Sequence, residues 1–110
     1  VGVFKNIGYI GGFEGRPLII DSNGMSFRYL KVMLPGFNQL FLEQVFLYRG
    51  DECLSIGKAA KSSSVLEGNS ERFGPFKACD GHVDGYSYHA TELEHNPCWV
   101  VDLNQVERID

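Results

Sequence analysis

No stretch of this chain approaches the roughly 20 consecutive apolar residues that a membrane-spanning helix needs, and no basic, apolar leader opens it. Cations are scarce: ten Lys and Arg stand against fourteen Asp and Glu, for a net charge of −4. Nucleic-acid surfaces need clustered Lys and Arg to displace counterions, which this balance argues against. Arg28, Lys31, Lys58 and Lys61 are close in sequence but interspersed with acids, and read as a solvated mixed-charge surface. Cysteine is limited to Cys53, Cys79 and Cys98, an odd number at spacings that match no zinc pattern. Cys53 and Cys79 sit among apolar or small residues and read as buried thiols; a Cys79–Cys98 bridge is the alternative. Gly-x-Ser-x-Gly does not occur, so Ser62, Ser63 and Ser64 lack a nucleophile-elbow context. Glu92 and Glu94 lie on a polar stretch and read as solvated acids rather than a glycosidase pair. Sequons for N-glycosylation are also missing. The chain opens on Val1 rather than Met, and is expected to be a processed form or a piece of something larger.

What is present suits one globular core. Hydrophobic residues make up 44% of the 110 and aromatics 13%, too rich for disorder. Thirteen glycines cut the chain into short segments. Residues 18–20 read as a short buried strand closed by Asp21-Ser22-Asn23-Gly24. Residues 27–34 read as a strand with Arg28, Leu30, Val32 and Leu34 on one face and Phe27, Tyr29, Lys31 and Met33 on the other. Residues 40–48 form the longest apolar run and read as a strand through their aromatic and β-branched content. Residues 53–56 and 62–66 are short extended candidates, residues 67–97 read as loop with one or two turns, and 99–103 read as a central strand that buries Trp99. No segment carries a convincing amphipathic helix. Short strands between turns predict an all-β sandwich or barrel without a catalytic constellation.

Five blocks carry a resemblance. Arg28-Tyr29-Leu30-Lys31-Val32-Met33-Leu34-Pro35-Gly36 and Leu40-Phe41-Leu42-Glu43-Gln44-Val45 resemble the closing strands of F-type (fucose-binding) lectins and their discoidin-like, galactose-binding-like relatives. The run from Leu54 through Gly57-Lys58 to Ser62-Ser63 resembles their opening strand, Ala78-Cys79-Asp80-Gly81 a following turn, and Asn96-Pro97-Cys98-Trp99-Val100-Val101-Asp102-Leu103 a later strand. The resemblance covers residues 28–103, while residues 1–25 match poorly. The closing strands come first. The chain is therefore expected to be either a junction of two tandem domains, with residues 1–49 a C-terminal half and 50–110 an N-terminal half, or one circularly permuted jelly-roll sandwich.

The resemblance implies a secreted or extracellular, non-catalytic carbohydrate-binding module for fucose- or galactose-type glycans or glycoproteins, held by one calcium ion. The calcium positions fall on Lys77, Asp80, His82, Thr91 and the pair Glu43-Gln44. Lys77 and His82 replace asparagines, and Gln44 is a neutral amide in place of a carboxylate, which weakens a calcium site. The one His of the family's sugar triad falls to His89 or His95, and of its two Arg only Arg108 is matched unless Arg16 is brought round. This erosion keeps open a second expectation, a degenerate copy of the fold serving as a structural or protein-contact subunit of a larger assembly.

Overall fold

The computed structural model describes residues 24–82 and 87–109. The expected strand at residues 18–20 lies outside them. Its main sheet has three antiparallel strands in the order β1 (Ser26–Met33), β9 (Cys98–Arg108), β6 (Ala59–Ser62). Three two-stranded pairs surround it: β2 (Phe37–Asn38) with β8 (Glu94–His95), β3 (Phe41–Leu42) with β7 (His89–Ala90), and β4 (Tyr48–Arg49) with β5 (Glu52–Cys53). Strand dominates the described residues and helix is minor. None of their helices is long and apolar enough to cross a membrane.

β9 is central because its sequence alternates. Trp99, Val101 and Leu103 are fully buried, while Val100 and Asp102 face outward. Across the inner face Leu30, Val101 and Ala60 share one row, and Val32, Trp99 and Ser62 share the next. Leu40, Leu47, Leu54, Ala78, Cys79 and Ile109 complete the core around them. The Trp99 indole N–H, buried with the ring, donates to the Pro75 carbonyl at 2.8 Å.

The expected face of β1 holds only in part. Leu30 and Val32 point inward, but Arg28 does not join them: Phe27 packs against the core instead and Arg28 is exposed. The cause lies on the partner strand. Phe27 pairs with Glu107 and Tyr29 already pairs with Asp102, so four residues of β9 bulge opposite one of β1. Asn104 takes the left-handed conformation within that bulge (φ 77°), and its N–H is held by the Asp102 carboxylate at 2.8 Å.

Residues 40–48 are not one strand. Only Phe41–Leu42 and Tyr48–Arg49 enter ladders. Between them the backbone is satisfied elsewhere: Val45 N–H donates to Ala78 O (2.8 Å), the buried Ser55 hydroxyl donates to Val45 O (2.8 Å), and Leu47 N–H donates to that hydroxyl (3.2 Å).

Residues 67–97 hold more structure than a loop. A 3-10 turn at Leu66–Gly68 leads into a one-turn helix, α1 (Ser70–Phe73), and a second 3-10 turn at Pro75–Ala78 follows. Asn69 caps α1 by accepting from Arg72 N–H. Glu92 and Glu94 are not simply solvated. Glu92 accepts from Glu67 N–H at 2.5 Å, and Glu94 accepts from the hydroxyls of Ser63 (3.0 Å) and Ser64.

Candidate functional site

The residues expected to hold calcium divide by their hydrogen-bond partners. Gln44, Lys77, Asp80 and His82 come together where the second 3-10 turn ends. The Gln44 amide N–H groups donate to Lys77 O at 2.8 Å and to Asp80 Oδ1 at 2.6 Å, while its Oε1 accepts from Gly81 N–H at 3.1 Å. His82 N–H adds a bond to the same Asp80 oxygen at 2.9 Å. Thr91 takes other partners. Thr91 is buried between β3 and β7, where its hydroxyl accepts from Leu40 N–H (3.0 Å) and donates to Glu92 O (2.9 Å). Glu43 is exposed in the bend that follows β3.

These residues do not fit a calcium ion. Calcium takes six to eight oxygens at 2.3–2.6 Å, whereas the point on which Lys77 O and Asp80 Oδ1 converge is filled by the Gln44 nitrogen. No group of three or more His, Cys, Asp or Glu side chains able to hold a metal exists among the described residues.

The expected sugar triad is not brought together either. His89 is fully buried in β7, with its Nδ1 at 2.8 Å from Phe73 O, so it presents nothing to a ligand. Burial also lowers its proton affinity, against a smaller opposing effect of the Phe73 and Gly74 backbone. His95 is exposed in β8, with its ring edge-on to Phe37 at 5.5 Å between centroids. Arg108 pairs with Ser26 at one end of β1, while Cys98, just after His95, pairs with Met33 at the other. Seven residues of extended strand, roughly 23 Å, separate those ends. All three cysteines are free; the Cys79 thiol donates to Lys58 O at 3.3 Å and does not bridge to Cys98.

A different cluster lies on the outer face of the main sheet. There Tyr29, Asp102 and Ala59 form one row across three strands, and Lys31, Val100 and Lys61 form the next. Tyr29, Ala59, Lys61, Val100 and Asp102 line an open cleft of about 330 Å³, at the small end of ligand-site volumes. Arg28 clamps Asp102 with two parallel bonds, Nε to Oδ1 at 2.8 Å and Nη2 to Oδ2 at 3.0 Å. Its guanidinium carbon also lies 5.0 Å from the centre of the Tyr29 ring. The Arg28 bonds, aided by Asn104 N–H, hold the Asp102 carboxyl below the usual carboxylate range. The cleft thus offers a half-exposed aromatic ring, an ionised carboxylate with lone pairs to spare and a neighbouring ammonium.

Reading the chain as a string misses this cleft. Arg28 and Tyr29 come from one end of the chain, Lys61 from its middle and Asp102 from the far end. Only the pairing register places them together. Comparison with known proteins found no matching family model, no matching curated protein and no matching solved structure.

Proposed function

We propose that this chain is a non-catalytic carbohydrate-binding module, a permuted jelly-roll sandwich that takes a fucose- or galactose-type residue of a secreted or cell-surface glycan in the outer cleft. The observation that carries the reading is the Arg28–Asp102 fork beside Tyr29. A pyranose has an apolar face and a ring of hydroxyls. Tyr29 supplies surface for the first, and Asp102 and Lys61 supply an acceptor and a donor for the second. The fork fixes the carboxylate before any ligand arrives, which lowers the ordering cost of binding. Lys31 and Lys61 flank the floor and favour glycans that carry an anionic substituent nearby.

A glycan array probed with the intact chain and with Tyr29→Ala and Asp102→Asn tests the proposal. Binding by the intact chain that both substitutions weaken at least tenfold, with folding retained, is the expected result. An array on which the intact chain binds nothing defeats it.

A second reading, a protein-contact subunit, has its own observation. The ribbon formed by residues 37–42 and 89–95 carries Phe37, Phe41 and Leu93, all more than half exposed. Co-purification of a stoichiometric partner that Phe37→Ser and Phe41→Ser abolish, together with a silent array, decides for this reading.

A further inference from the structure

The Gln44 amide takes part in three hydrogen bonds at once, and they fix which way it points. Rotating it by half a turn would set its oxygen against Lys77 O and Asp80 Oδ1 and its NH2 against Gly81 N–H. Only the observed orientation pairs donors with acceptors. The nitrogen sits where two oxygens of the 77–82 loop converge. The loop it closes is tied into the core: Val45 N–H donates to Ala78 O and Gly57 N–H to Cys79 O, both at 2.8 Å, and Ala78 and Cys79 are buried.

From this geometry we propose that the Gln44 side-chain nitrogen stands in for a bound cation, so that the 77–82 loop is held closed without metal. The two N–H groups of a neutral amide satisfy the same two oxygens that a cation would attract. Charge is consistent with this. Among the described residues Asp80 is the one carboxylate bonded in the cluster, and its Oδ1 receives N–H donors from both Gln44 and His82. A Glu at position 44 would reverse the situation. It would aim a second carboxylate at Asp80 and Lys77 O, leaving three oxygens facing one another with no donor between them. Such an arrangement needs a shared proton or a cation between the oxygens. A carboxylate at position 44 would therefore make closure of the loop depend on a counter-charge that the amide does not need.

The test is thermal melting of the purified chain in EDTA and in millimolar calcium chloride, with calcium titration calorimetry beside it. The wild-type protein is expected to melt at the same temperature in both and to give no binding heat. Gln44→Glu is expected to melt lower in EDTA and to recover by roughly 5 °C or more with calcium. Gln44→Met, which removes donor and acceptor alike, is expected to lose stability without recovery. If Gln44→Glu does not fold in EDTA, refolding in calcium chloride supports the proposal and failure to refold counts against it. A wild-type melting temperature that rises by that margin with calcium overturns it. So does a Gln44→Glu variant as stable as wild type in EDTA and indifferent to calcium. Neither result bears on glycan binding in the outer cleft.

Discussion

His89 has no solvent exposure, and its Nε2 lacks a hydrogen-bond partner among the described residues. A neutral imidazole tolerates that position; an imidazolium would be buried with an unpaired N–H. Burial accordingly holds its pKa below the ordinary 6.5. Below about pH 6.5 the unfolded chain takes up a proton that the folded chain does not, so stability is full above that pH and falls as the pH drops toward the lowered folded value. The melting temperature should decline between pH 7.5 and 5.5, and His89→Leu should flatten that slope even if it shifts the curve as a whole. A wild-type melting temperature unchanged across this window would contradict the burial of a neutral ring. Trp99 makes the same point through packing. Trp99→Phe keeps most of the buried ring but leaves Pro75 O without its donor, an expected loss of about 1–3 kcal/mol measured by urea unfolding.

At the scale of elements, α1 depends on one position. A Cβ on Gly74 would stand 2.3 Å from the Ser70 carbonyl oxygen, which itself accepts from Gly74 N–H at 3.0 Å. Gly74→Ala must push that turn apart and should cost about 1–3 kcal/mol, whereas Gly57→Ala, open to space but at φ +78°, should act only through backbone strain. Circular dichroism melts of the two variants separate the effects. Residues 67–97 read as loop because a four-residue helix has no amphipathic period to announce it, even with Asn69 at its cap and Gly74-Pro75 behind it. β9 was legible because Trp99, Val101 and Leu103 alternate with outward residues. The run from Leu40 to Tyr48 was not, since apolar content signals burial and does not say which groups will take the backbone bonds; a serine and a 3-10 turn take them here. The candidate site divides in the same way. Replacement of a carboxylate by Gln44 already marked the calcium site as weak, but where the amide nitrogen would point depended on the folded loop. The outer cleft depended on strand register and on a bulge, neither of which a single chain reveals.

For the whole molecule, the question is whether residues 1–49 and 50–110 are pieces of two domains or parts of one. Contacts cross the boundary wherever the core lies. β1 from the first part pairs along β9 from the second, Leu40 and Leu47 share a cluster with Leu54, Trp99 and Val101, and Arg49 binds both Glu52 (3.0 Å) and Glu107 (2.8 Å). The cut itself falls inside the β4–β5 turn, where Gly50 is exposed at φ +59°. Without residues 24–49, β9 would lose one of its two neighbours, and the inward faces of Trp99, Val101 and Leu103 would lose Leu30, Val32, Leu40 and Leu47. Exposing that much apolar surface exceeds the marginal stability of a domain this small. Expressed separately, residues 1–49 and 50–110 should each lack a cooperative melt, and mixing them should restore one, because an exposed glycine turn is a site where a break is tolerated. A cooperative transition from residues 50–110 alone, unchanged by adding the first piece, would show instead that the second part folds by itself, as half of a tandem junction would.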